Sequence, residues 1–175
     1  MFQEDRNELQ FDWCMIGDIE EGRPTLGPET AVAVYRMMQF SLRDVLIKEY
    51  GAESADRLFF AAGRKAGIEL YRNNAADCET FDELVTKLQQ LFLSLKLGIF
   101  RVEGANHQSG QYVFTVAEDL DCSGLPVSEE TVCTFDEGLI AGILYAFTGK
   151  QFSVREIDCW CSGERICRFE VKMLK

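Results

Sequence analysis

Apolar positions recur along this chain with two different periods, and the change from one to the other divides it. Phe81, Leu84, Val85, Leu88, Leu91, Phe92 and Leu95 follow a 3.6-residue repeat without a break. That repeat puts them on one face of a helix, turned toward a core. Two earlier stretches are also helical in pattern. Pro28 suits a first turn and Gly51 a helix end, which predicts a helix from about 28 to 50. A second helix is predicted over about 53–73. Its Phe59, Ala62, Gly63, Ala66, Gly67 and Leu70 form a stripe of mostly small side chains along which another element can approach closely. Gly63 and Gly67 lie inside that helical pattern and not in a Gly-rich loop, so the stripe is packing and not a phosphate cradle.

Beyond residue 96 the period becomes two. "LGIFRVEG" (97–104) and "QYVFTVAED" (111–119) are β-rich runs around the turn-like "ANHQSG". The only histidine, His107, falls in that turn and reads as a solvated residue. "FDWCMI" (11–16) alternates in the same way and predicts a short strand, while 17–28 reads as a Gly/Pro loop and 1–10 as a loose polar stretch. "CTFDEGLIAGILYAFTGK" (133–150) predicts a fourth helix, opened by a Thr134/Glu137 capping box and closed by Gly149. The chain ends in "FSVREIDC" and "RICRFEVKM", two alternating runs around "WCSGE", which read as a second hairpin. Helices, hairpin, helix, hairpin is the order of an α+β fold: one domain, with an antiparallel sheet packed against about four helices.

Composition narrows the function classes. The 175 residues are 47% hydrophobic, enough for one domain with a real core. Net charge is −11 with no basic stripe, a field that repels phosphate backbones and anionic surfaces, so direct nucleic-acid binding is not expected. No window approaches the roughly 18 apolar residues of a membrane span. The acidic "MFQEDRNELQ" lacks a basic leader, which points to a cytoplasmic chain with reduced thiols. Seven cysteines, an odd number, cannot form a complete internal disulfide set.

The stretch that carries chemistry is "REIDCWCSGERICRFEV" (155–171). Cys159 and Cys167 lie on the two arms of the last hairpin, which can bring them together. Cys133 stands just before the fourth helix, whose N-terminus favours a thiolate. Glu156 offers a fourth donor. Glu156 and Cys159 are three apart, so a regular strand points them to opposite faces, and a shared site requires a bulge near 157–158. Without one, Cys161 or Asp158 takes the fourth place. Three readings stay open on spacing alone: a metal site, buried thiols acting as small hydrophobes, and a redox pair. Cys159–Trp160–Cys161 is CxC and not CxxC, which counts against redox chemistry. Cys14, Cys78 and Cys122 have no partners nearby in sequence and read as ordinary packing or surface residues.

The segment "VCTFDEGLIAGILYAFTGKQFSVREIDCWCSGERICRFEV" (132–171) resembles the 4-vinyl reductase domain family. The matching features are the Cys before a Gly-x-x-x-Gly helix, the "AFTGK" helix end, the V-x-E-x-x-C strand and the G-x-x-x-C-x-F-x-V ending. "FFAAGRKAGIEL" (59–70) resembles the Gly-containing helix of that family. The resemblance assigns 55–175 to a 4-vinyl-reductase-type domain, with 1–54 as a strand, loop and first helix of the same unit. It implies a compact α+β homodimer similar to subunits of the TRAPP vesicle-tethering complex. It also implies kinship with the sensory parts of aromatic-responsive bacterial activators.

From that resemblance come a structural zinc held by Cys133, Glu156, Cys159 and Cys167, and an apolar pocket for a hydrophobic or aromatic ligand. The pocket would draw on Tyr112, Phe114, Val116, Ile143, Phe147 and Val154. The activators' ATPase and DNA-binding domains have no counterpart in this sequence. The implied function is a ligand-binding sensor module, with an interaction or assembly module, or a chaperone of a reductase, as the alternative. An enzyme is disfavoured. No G-x-G-x-x-G strand–helix unit is present for a nicotinamide or flavin, and a zinc with four protein ligands keeps no open position.

Overall fold

The computed structural model describes residues 10–175, so the opening polar stretch lies almost wholly outside the described residues. The elements are α1 (Ile19–Gly22), α2 (Val32–Tyr50), α3 (Ala52–Asn74), α4 (Phe81–Ser94), β1 (Ile99–Asn106), β2 (Gln111–Ala117), α5 (Thr134–Thr148), β3 (Phe152–Asp158) and β4 (Cys167–Met173). The strands form one antiparallel sheet in the order β1-β2-β4-β3. This is the α+β architecture the pattern predicts, with α1 as an additional single turn. Among the described residues, no helix is long and apolar enough to cross a membrane.

Alternation fixes which face of the sheet is covered. On β3, Phe152, Val154 and Glu156 are buried, and on β4, Cys167, Phe169 and Val171. Helix α5 packs across β3 on that face, and α3 packs on α5 from the other side. Helix α5 is therefore the middle layer. Gly138 through Leu144 are buried without interruption, the pattern of a helix covered all round.

The small-residue stripe explains how α3 and α5 approach. A Cβ placed on Gly63 would lie 2.0 Å from the Phe135 carbonyl oxygen, and one on Gly67 2.1 Å from that of Leu139. Reciprocally, a Cβ on Gly138 would meet the Phe60 oxygen at 2.1 Å, and on Gly142 the Arg64 oxygen at 2.2 Å. Four glycines thus bring two backbones into direct contact.

Three local expectations are corrected. Residues Trp13–Ile16 form a 3₁₀ turn and not a strand. The Asp12 carboxylate accepts from the Cys14 amide at 2.8 Å and Gly17 closes the turn at positive φ, so local side-chain capping overrides the alternation. Helix α2 starts at Val32, several residues after Pro28, because Ala31 is still extended. At α5 the N-cap is Cys133, and the Thr134/Glu137 capping box does not form. Thr134 Oγ1 instead accepts from Arg43, and Glu137 Oε1 accepts from the Glu156 amide at 2.7 Å. A capping box does open α4, between Thr80 and Glu83.

The backbone contact sets a prediction. In an isolated helix Gly→Ala gains roughly 0.5–1 kcal/mol. Gly138→Ala will instead lose about 1–3 kcal/mol, because the methyl group meets backbone that cannot yield. Gly22→Ala, which meets nothing within 4 Å, will cause no loss. Urea unfolding of the two variants checks the opposite signs.

Candidate metal centre

Four buried cysteines converge where α5 meets the last hairpin: Cys122, Cys133, Cys159 and Cys167. Their Sγ atoms all lie within 4.8 Å of one another. Cys133 is 3.7 Å from Cys167 and 3.9 Å from Cys159, and Cys122 is 3.1 Å from Cys167. Sulfurs about 2.3 Å from a tetrahedral ion stand about 3.8 Å apart. Two of the observed separations match that edge, so the donor set suits a thiophilic divalent ion.

Each sulfur is brought in by a separate local device. Cys167 opens β4, opposite Val116 of β2. Cys159 follows a register shift between Glu156 and Asp158, where Glu156 pairs with Phe169 and Asp158 with Arg168. This is the bulge that the three-residue spacing of Glu156 and Cys159 requires. The extra residue, Ile157, is exposed, and Glu156 and Cys159 are both buried. Cys133 is the N-cap of α5. Cys122 enters from the loop after β2. There the Asp119 Oδ1 accepts from the Asp121 amide at 2.8 Å and the Cys122 amide at 3.2 Å, folding the loop inward.

The reading of Cys122 as an ordinary packing or surface residue is corrected by the structure. Cys122 is fully buried and joins the three cysteines named from the motif. It sits in a loop 11 residues before Cys133, with no motif spacing to mark it. The available signal was Asp119 placed three residues before Cys122, the spacing of a side-chain-to-backbone turn.

Glu156 lies beside the sulfurs without being one of the tight group of four. Its Oε2 accepts from the Cys133 amide at 3.0 Å, and its Oε1 is buried with no partner. Asp158 instead forms an ion pair with Arg168 on the other side of the strand. Cys161 is buried, but its role is through its carbonyl, which accepts from the amides of Ser128 and Glu129.

Charge is concentrated around this corner. The sulfurs of Cys122, Cys133 and Cys167 hydrogen-bond to Cys159 and hold it below the ordinary thiol range as a thiolate. Cys133 is pushed up by its bonds to Cys122, Cys159 and Cys167. Burial, then the Cys159 charge, raises Glu156 to about 8. Burial, then Asp121, raises Asp119 to about 7. Burial, then Asp121 and Asp119, raises Asp136 well above the carboxylate range.

The six positions expected to form an apolar pocket are spread through the core. Phe114 and Ile143 line an internal void of about 10 Å³, together with Leu88, Phe92, Phe100, Ile140 and Leu144. That is room for about one water-sized sphere. Val116 and Val154 are buried in the same core. Tyr112 stacks on Phe81 with ring centroids 4.9 Å apart, and Phe147 meets Tyr71 edge-on at 6.1 Å. His107 is exposed in its turn, as expected. A larger cavity of about 370 Å³ lies under the N-terminal turn, bordered by α2, α3 and the start of α5.

The fold and site together define a class: an α+β domain whose middle helix and final hairpin are joined at a buried cysteine corner. Residues 112–173 match the model of the vinyl-4-reductase domain, and that part of the chain belongs to the 4-vinyl reductase domain family. An uncharacterized protein of Methanocaldococcus jannaschii, MJ1642, is 23% identical over 149 residues, covering 85% of this chain and 81% of its own. The phenol-responsive sensory domain of the transcription activator PoxR, solved with phenol, superposes with a TM-score of 0.64 at 21% identity, covering 82% of this chain and 75% of that one. Trafficking protein particle complex subunit 3 of Naegleria fowleri, covalently bound to palmitic acid, superposes at 0.66 with 14% identity, covering 82% and 95%. At these identities the two structures share the fold.

The corner can be tested by substitution and by pH. Cys167→Ala will destabilise the metal-replete protein by about 4 kcal/mol or more, and Cys122→Ala comparably, whereas Cys78→Ala will stay within about 0.5 kcal/mol. Equal melting temperatures for Cys122→Ala and Cys78→Ala would remove Cys122 from the corner. In metal-stripped protein, Asp119 and Glu156 titrate at about 7 and about 8, above their unfolded values of 3.8 and 4.5. A carboxyl raised on folding stabilises most when protonated, so its contribution is full below the unfolded pKa and is lost as pH rises through the folded one. Chelated protein will therefore melt at lower temperature at pH 8 than at pH 5. Metal-loaded protein will lose less over that interval, because thiolate ligation strengthens as protons leave.

Proposed function

We propose that this chain is a small-molecule-binding sensor module whose C-terminal corner is organised by a structural zinc ion. The observation that carries the proposal is the convergence of four buried sulfurs at the joint between α5 and the last hairpin. Cys133, Cys159 and Cys167 would hold the ion, as the family resemblance implies. Cys122 would take the fourth position. Glu156, the expected fourth ligand, would brace the site by holding the Cys133 amide. Four protein ligands close the coordination sphere, so the ion's chemistry is structural: it ties chain segments together and contributes folding free energy.

The ligand class rests on the company the fold keeps. PoxR's sensory domain binds phenol and the Naegleria subunit carries palmitic acid, two apolar molecules in one architecture. A cytoplasmic, non-catalytic, homodimeric module accords with the resemblance. A dimer also has a face to use: Val34, Met38, Leu42 and Val45 make an exposed apolar stripe along α2 that a second copy would bury.

Elemental analysis of protein purified without chelator will find one zinc per chain. After cobalt replacement, the visible bands will be those of a four-sulfur tetrahedral site, and Glu156→Gln will leave them in place. Bands of a three-sulfur, one-oxygen site that vanish in Glu156→Gln would return the fourth position to Glu156. Native mass spectrometry after gentle purification will show a co-purified small molecule. A chain that is empty of ligand yet captured with one stable protein partner would favour an assembly module instead.

A further inference from the structure

The cavity of about 370 Å³ under the N-terminal turn has a composition unlike that of the core. Four aromatic side chains line it, Phe11, Trp13, Tyr35 and Phe135, and so do two carboxylates, Asp121 and Asp136. The remaining wall is aliphatic, from α3, α5 and the segment after α4. Its size is that of a small-ligand site.

The two carboxylates differ in what they still lack. Asp121 is satisfied: Tyr35 donates its hydroxyl at 2.7 Å and Gln39 its amide at 2.6 Å. Asp136 is not, because its Oδ2 is buried and has no partner. Asp119 stands next to it behind Cys133. Among the described residues, no lysine or arginine forms a salt bridge with any of these three acids. The arginines on the adjoining face of α2 point elsewhere. Arg36 donates to the carbonyls of Leu120 and Ser123, and Arg43 to Asp56, the Val132 carbonyl and Thr134. Buried carboxylates without a counter-charge are costly, and here the missing charge is positive.

We propose that this cavity binds an organic ammonium ion with an apolar body, its charged end meeting Asp136 and the faces of the surrounding rings. Aromatic faces attract cations and carry the recognition of ammonium ligands in aromatic cages. A neutral hydrocarbon would leave Asp136 Oδ2 without a partner, and a carboxylate-ended ligand would meet like charge. The net charge of −11 draws cations toward the surface and repels anions. The inference rests on the sensor reading and specifies its ligand and place. The pocket is the cavity beside α2, distinct from the packed interior around Phe114.

Calorimetric titration of the metal-replete full chain tests it with three near-isosteric probes: 2-phenylethylammonium, 2-phenylethanol and phenylacetate. The ammonium ion will bind at least about tenfold more tightly than the alcohol, and phenylacetate will not bind. Asp136→Asn will erase the preference for the cation while keeping its bound metal. Trp13→Leu, in a surface turn remote from the sulfurs, will weaken the cation by about tenfold with an unchanged melting temperature. Equal or tighter binding of the alcohol, or ammonium binding indifferent to both substitutions, overturns the proposal. A second equivalent of zinc that competes with the amine would overturn it too, giving the carboxylates to a metal. Binding of the alcohol alone leaves the sensor reading standing and removes only the ammonium assignment. Binding of none of the three, together with no co-purified small molecule, removes both.

Discussion

The structure depends on bringing anionic donors into a space with no protein cation to meet them. Four thiols and Glu156 crowd the place where β3, β4, the loop after β2 and the start of α5 meet. Without compensation, such a cluster resists burial, and any one ionised sulfur raises the cost of ionising the next. The backbone answers in part. The Cys133 amide donates to Glu156, and the amides of Asp121 and Cys122 donate to Asp119. A divalent ion would answer the rest, replacing mutual repulsion among thiolates with a shared attraction. Elements far apart in sequence would then be fixed by one point of contact.

That point is useful because α5 cannot slide. Its glycines and those of α3 put carbonyl oxygens where side chains would otherwise stand. Moving α5 along its axis would press Cα and Cβ atoms of neighbouring residues into those oxygens. The glycine contact sets the height of the helix, and the corner sets its first turn against the hairpin. Glu137 joins the two by accepting from the Glu156 amide, so the first turn of α5 is pinned from the β3 side as well.

How much of this could be read beforehand follows from the range of each interaction. Helix α4 was plain because seven apolar residues repeat in register, and the C-cap of α5 was plain because Gly149 adopts the left-handed conformation that ends helices. The bulge after Glu156 could be inferred because two donors on one strand had to share a side. Cys122 could not, since its neighbours in space are Cys133 and Cys167, 11 and 45 residues away. Thr134 and Glu137 carried the right letters for a capping box, but both found stronger tertiary partners in Arg43 and the Glu156 amide. Phe11, Trp13 and Met15 alternate like a strand, yet Asp12 captured the local amide first. The apolar residues of the hairpins gave no means of telling a filled core from a cavity, since both need the same side chains.

The first turn of α5 is where the proposed ligand and the proposed metal would meet. Cys133 faces the sulfurs, while Phe135 and Asp136, two and three residues on, face the cavity. A ligand pressing on that turn cannot drive α5 along α3, where the glycine contacts block it, and cannot easily shift Cys133, which the corner holds. The opposite wall is freer. Helix α2 buries only Gln39 and is tied down chiefly by polar contacts: Tyr35 and Gln39 to Asp121, Arg36 to the carbonyls at 120 and 123, and Arg43 to Asp56, Val132 and Thr134. Asp121 belongs to both systems, since it lines the cavity and anchors α2. A ligand charge beside Asp136 competes with Tyr35 and Gln39 for the field of the same acidic group, so its differential affinity falls on the position of α2. The rigid corner then serves as the fixed reference, and the exposed apolar stripe of α2 is the surface on which occupancy would be displayed to a second copy.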